Sequence, residues 1–285
     1  MISGPITAGR ATLLVLLLAM TACSVPSEQA QDITLAASER SAARPASVTS
    51  IPAASSSADG VAQYRVASVV RTLPGCLGER CPSITLKSLS FEGHERFNAF
   101  LERSLLGIAL FDVSQPKTYR SLAELASEFW KTAEDRYEIV LGAEVKRATS
   151  SVVVIELQSY LYSGGAHGMS TAQYVNWLPK FDRILTLKDV VLPGRMKAFE
   201  AALKKQYLKW LESNEFAQTD MPGYLKMWPF QFSDNAALMA DGIAVTFNHY
   251  VLGPYALGMP TILVPYSELK GIINNGLLSR VQVQG

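Results

Sequence analysis

From Tyr137 onward the apolar positions recur every second residue. Tyr137, Ile139, Leu141, Ala143 and Val145 alternate with Glu138, Gly142, Glu144 and Lys146, the pattern of a half-buried strand. Val153, Ile155 and Leu157 predict a second strand, with Thr149-Ser150 near the intervening turn. Met169–Leu178 predicts a third, after a glycine-rich loop, so the three form an antiparallel meander. Upstream, Val61–Leu73 reads as extended and Ile84–Phe91 alternates. Between these strands and the meander the period lengthens. Phe97, Phe100, Leu101, Leu105 and Ile108 form one helical stripe, and Leu122, Leu125, Ala126 and Phe129 form another. Ser121 with Glu124 predicts a capping box for the second helix.

Downstream, Met196, Phe199, Leu203, Tyr207, Trp210 and Leu211 predict a long amphipathic helix after Pro193-Gly194. Residues 214–229 read as loop because of Pro222, Gly223 and Pro229. Phe230–Phe232, Ile243–Phe247 and Thr261–Val264 read as strands, and Ser267 as the cap of a last short helix. Strands and helices in blocks, rather than in strict alternation, predict an α+β fold of mainly antiparallel sheets with packed helices. We divide the ordered part into two small subdomains, 61–150 and 151–285. The strands on either side of residue 150 could pair across that line.

Composition changes the picture at the N-terminus. Residues 24 to about 60 are rich in Ala, Ser, Pro and Gln and poor in large apolar residues. Such a stretch cannot bury enough surface to order itself, so 23–60 reads as a flexible tether. Before it, Arg10 precedes the apolar run Ala11–Met20 and then Thr21-Ala22-Cys23. The run is too short to span a bilayer and sits where an export signal sits. Residues 1–22 resemble a bacterial lipoprotein signal peptide, which implies cleavage before Cys23 and lipid attachment to it. Ser24 is not Asp. In a Gram-negative source, resemblance to the sorting pattern then implies an outer-membrane lipoprotein facing the periplasm.

Charge narrows the partners. The formal net charge is +1, and loss of Arg10 with the signal brings it to 0. No basic excess exists to hold nucleic acid, so membrane contact is expected through the lipid on Cys23. Cys76 and Cys81 face an oxidising compartment after export, across a short ring containing Gly78, and predict a disulfide.

Two clusters carry candidate chemistry. The first is Tyr160-Leu161-Tyr162-Ser163-Gly164-Gly165-Ala166-His167-Gly168. Tyr160 and Tyr162 leave the same face of a strand, and Gly164 and Gly165 let the backbone turn sharply. The second is Asn248–Gly258, with Tyr250 and Tyr255. Each reads as a binding loop or as a turn packed by its own tyrosines. At one end of the sheet together, they would present a tyrosine surface suited to protein or sugar recognition. His94, His167 and His249 lie far apart in sequence without a ligand-spacing motif, so no metal or cofactor is expected. His167 is the one plausible general base outside a regular element. No acidic residue within its loop orients it, which argues against an enzyme.

The blocks Tyr162–Gly168, Ile184–Val190, Tyr250–Gly258 and Val264–Leu269 resemble the bacterial envelope domain of unknown function 3298. The part from about 61 to 150 resembles the domain that commonly precedes it. The same pair forms the outer part of a lysozyme-sensing anti-sigma factor. The resemblance implies an α+β fold, an envelope setting and binding of lysozyme or peptidoglycan, with Tyr160, Tyr162, Gly164, Gly165, His167, Tyr250 and Tyr255 as the binding residues. Two alternatives stand beside this: a cell-wall-modifying enzyme or accessory using His167, and a purely structural envelope protein.

Overall fold

The computed structural model describes residues 49–51, 61–109, 117–274 and 276. The signal peptide, Cys23 and most of the stretch read as a tether lie outside the described residues. Within that stretch, Thr49–Ile51 (β1) pairs antiparallel with Tyr64–Thr72 (β2).

The main sheet has seven strands in chain order. After β1 and β2 come Ser83–Phe91 (β3), Glu138–Ala148 (β4), Val153–Tyr162 (β5), Met169–Leu178 (β6) and Arg183–Leu185 (β7). Glu95–Gly107 (α1) and Leu122–Trp130 (α2) connect β3 to β4, and that crossover makes the β3–β4 pair parallel. The sheet runs unbroken through residue 150, because β4 and β5 are an antiparallel hairpin. The expected α+β fold of mainly antiparallel sheets is the one observed.

The β5 sequence explains the layering. Val152, Val153, Val154 and Ile155 are all fully buried. Val153, Ile155 and Leu157 face the core beneath α1 and α2, whereas Val152 and Val154 belong to a second core on the other side. A strand covered on both faces reads as a continuous apolar run. In the first core, Phe97 of α1 stacks on Trp177 of β6 with ring centroids 3.8 Å apart, and Phe91 meets the same indole edge-on at 5.1 Å.

The second core is built from Met196–Leu211 (α4) and a three-stranded antiparallel sheet. Its strands are Ala236–Leu238 (β8), Gly242–Thr246 (β9) and Thr261–Pro265 (β10), in the order β10-β9-β8. α4 buries Phe199, Leu203, Tyr207 and Leu211. Desolvation pushes the Tyr207 hydroxyl up to about 12.

Three local expectations are corrected. Residues 214–229 hold two short helices, Glu215–Gln218 (α5) and Met221–Met227 (α6), capped by the side chains of Asn214 and Asp220. The strand expected at Phe230–Phe232 lies instead at β8. Ser267 sits inside a 3-10 turn, Tyr266–Leu269, that follows Pro265, so it caps nothing. The α2 cap is half as expected. Ser121 accepts from the Glu124 backbone N–H at 3.2 Å, but the Glu124 carboxylate turns to the Arg120 N–H at 2.9 Å. Between β7 and α4 lies a single short turn, Leu187–Val190 (α3), where Asp189 accepts from the Thr186 backbone N–H and hydroxyl.

Candidate functional site

The loop between β5 and β6 needs its glycines. Gly164 and Gly165 sit at φ 90° and 86°, a region that side chains with a Cβ enter only under strain. The Tyr162 hydroxyl donates to the Gly165 carbonyl at 3.1 Å and closes the loop on itself. Gly168 is required for space. A Cβ there would fall 2.4 Å from the Tyr160 ring, so the bare backbone lets Tyr160 pack against it. Tyr160 is accordingly half-buried. Desolvation first, then the Glu138 carboxylate nearby, raise its hydroxyl above the ordinary tyrosine value.

The loop from β9 to β10 comes to the same end of the sheet. Asn248 fastens its start, accepting from the Ala172 backbone N–H of β6 at 3.0 Å. Tyr250 adopts φ 65° and keeps 46% of its surface exposed. After Pro254 the chain makes one 3-10 turn, Tyr255–Leu257. This places the Tyr255 ring against two imidazoles. His167 stacks on it at 3.6 Å and His249 at 4.4 Å, each 14° from parallel. The Tyr255 hydroxyl donates to the Gly168 carbonyl at 2.8 Å, and the Tyr250 ring stands 6.0 Å away. The two loops are thus joined by ring stacking and by hydrogen bonds.

The two histidines differ. His167 is exposed, with Nδ1 3.1 Å from the Gly168 carbonyl. His249 is half-buried, and its Nδ1 has no hydrogen-bond partner among the described residues. Burial, with His167 adding like-charge repulsion, holds its imidazole below the ordinary 6.5, partly offset by the Tyr255 backbone. No hydrogen bond or ion pair joins His167 to a carboxylate among the described residues, and no group of three or more His, Cys, Asp or Glu there could hold a metal. The arrangement offers flat aromatic faces and polar ring edges, which suits stacking recognition.

Every tyrosine, glycine and histidine singled out in the two loops therefore sits at one end of the sheet. The candidate set omitted His249, although it lies in the same sequence cluster. The candidate set also omitted three asparagines, Asn176, Asn235 and Asn248, that tie neighbouring segments to β6. Asn176 is buried in β6 and holds β8, donating to the Ala236 carbonyl at 2.8 Å and accepting from the Leu238 N–H at 2.8 Å. Asn235 accepts from Tyr174 N–H and donates to the Ala172 carbonyl, both at 2.8 Å. The signal for Asn176 was present: a lone amide between Val175 and Trp177 in a buried strand. Elsewhere, Cys76 and Cys81 form the expected disulfide at the β2–β3 turn, with Cα atoms 5.8 Å apart. No helix among the described residues is long and apolar enough to cross a membrane.

With this geometry established, the chain can be set beside known proteins. Residues 188–267 match the model of a family described as "Protein of unknown function (DUF3298)". Over that segment the chain is similar to the DUF3298 family. The matched segment runs from α3 to the turn after β10, so it includes the Tyr250–Tyr255 loop but not the Gly164–His167 loop. The fold is similar to a crystal structure of a DUF3298 family protein from Pseudomonas aeruginosa PAO1, with TM-score 0.69 and 29% identity over 76% of this chain and 96% of that one. It is also similar in fold to a DUF3298 family member from Bacteroides fragilis, with TM-score 0.60 and 21% identity over 79% of this chain and 99% of that one. No curated protein matches the chain.

Proposed function

We propose that this protein is a lipid-anchored, non-enzymatic component of the cell envelope that binds peptidoglycan through the two-loop aromatic surface. The observation that carries the reading is the His167–Tyr255–His249 stack with Tyr250 exposed beside it. Rigid rings with one face free are the usual means of gripping a pyranose or a protein side chain without large entropy loss. The lipoprotein-type signal ending at Cys23 supports the location, in the outer membrane facing the periplasm for a Gram-negative source. His167 lacks an orienting carboxylate among the described residues, which favours recognition over acid–base chemistry.

Co-sedimentation of the purified protein with insoluble peptidoglycan tests this, with immobilised lysozyme run in parallel as the other ligand named by the resemblance. Tyr250→Ala should reduce sedimentation by at least ~1 kcal/mol in affinity and leave circular dichroism unchanged. Retention on lysozyme alone would move the reading from glycan to protein. Turnover of peptidoglycan that vanishes in His167→Ala at unchanged melting temperature would overturn the non-enzymatic assignment.

A further inference from the structure

Along its outer edge β6 is only partly covered. β7 pairs with Asn176–Leu178 and no further, while Asn235 and Asn248 take the backbone groups of Ala172 and Tyr174. A trough follows this stretch. It consists of three hollows, of about 350, 740 and 480 Å³, that adjoin through shared lining residues. Phe100 and Ile184 line both the first and the second, and Asn235 and Asn248 line both the second and the third. At one end Asn248 leads directly into His249 and the aromatic surface. At the other end Arg96 and Arg103, two turns apart on α1, flank Phe100. From Thr171 to Asn176 the strand alone spans roughly 17 Å.

The lining is charged at intervals and rich in hydrogen-bond donors. Neither Arg96 nor Arg103 is paired with a carboxylate among the described residues, and Lys188 is likewise free of one there. The Asn248 amide nitrogen has no partner among the described residues, since its oxygen alone is engaged. Two carboxylates, Asp182 and Asp234, also line the trough. Cations and acids spaced along an extended cleft fit a peptide chain that carries both carboxylate and amine groups, with backbone carbonyls for the amide donors.

We propose that the trough holds the stem peptide of peptidoglycan while the glycan to which it is attached lies on the aromatic surface. This rests on the peptidoglycan-binding reading above. Glycan strands stripped of peptide by an amidase, and the same strands with peptides intact, separate the two. Binding of each to the whole purified protein is measured by calorimetry. Arg96→Gln with Arg103→Gln changes only exposed side chains. It should weaken binding of peptide-bearing strands about tenfold, leave bare glycan unaffected, and reduce the salt dependence of the former. Tyr250→Ala should weaken both. Equal wild-type affinity for bare and peptide-bearing strands, or an arginine double variant that binds both as wild type does, overturns the trough assignment and leaves the aromatic reading standing. Bare glycan that fails to bind, or binds Tyr250→Ala unchanged, overturns the aromatic reading and the trough with it.

Discussion

Replacing Asn176 with Ala removes the clamp between the two sheets. Asn176 lies in β6, yet its side chain imitates a neighbouring strand. Its amide oxygen receives the Leu238 N–H and its nitrogen reaches the Ala236 carbonyl, so Asn176 makes two of the hydrogen bonds that tie β8 to the main sheet, beside the Arg147 guanidinium of β4, which donates to the Leu238 carbonyl at 2.9 Å. Both groups are buried, and β9 pairs with the other edge of β8. Alanine leaves one donor and one acceptor unsatisfied, each costing roughly 1–3 kcal/mol, so the total is about 2–6 kcal/mol. Against a total stability of the order of 5–15 kcal/mol this is large, and the melting temperature should fall by roughly 4–24 °C. Urea unfolding followed by fluorescence and by circular dichroism measures it. Asn176→Asp keeps an acceptor for Leu238 but sets a carboxylate against the Ala236 carbonyl, so it should be no better than Ala. Asn235→Ala, at a less buried position, should cost less than either. An Asn176→Ala midpoint within ~0.5 kcal/mol of wild type, or an Asp variant as stable as wild type, would falsify the clamp.

Other outcomes follow from the same structure. His249 has a depressed folded-state pKa, so the folded state binds a proton less readily than the unfolded chain. Stability is therefore complete above the ordinary 6.5 and is lost as pH falls from there through the depressed value. Unfolding curves from about pH 8 to about pH 4 should show a steeper acid loss for wild type than for His249→Gln; parallel curves would refute the cause assigned. The Cys76–Cys81 ring closes only a short loop, so the Cys76→Ser, Cys81→Ser pair should cost about 2 kcal/mol or less. Non-reducing peptide mapping should link the two cysteines, and two free thiols would contradict the bond. Cys23→Ala should abolish metabolic labelling with palmitate; continued labelling would rule out that anchor.

Much of the fold was legible because periodicity reports burial. β3, β4, α1, α2 and α4 each bury one face, and the spacing of their apolar residues says so; β5, covered on both faces, instead shows an apolar run. The misses have local causes. β8 is Ala-Ala-Leu, a segment with no strand preference of its own, made a strand by β9 on one side and Asn176 on the other. Phe230–Phe232 carries aromatic strand formers, but Phe230 packs on Tyr207 of α4. The Pro and Gly residues of 214–229 suggested loop, although Asn214 and Asp220 are helix caps and Pro222 sits in the first turn of α6, where it is tolerated. The parallel β3–β4 pairing depends on where two helices dock, which no local pattern records.

At the candidate site, sequence supplied the two aromatic clusters but not their union. That union needs β5–β6 and β9–β10 to end on the same side, and Asn248 to pin one loop to β6. The stacking of His167 and His249 on Tyr255 is a tertiary fact, and the role of Gly168 as a seat for Tyr160 is another.

The central claim is that this aromatic end is where the envelope ligand binds. Titrating isotopically labelled protein with soluble glycan strands, followed by amide and aromatic resonances, tests it most directly. The account predicts that the shifts concentrate at residues 160–168 and 248–256, with the Tyr250 and Tyr255 rings among the largest. Shifts confined to other surfaces, or no shifts at saturating glycan, would contradict it.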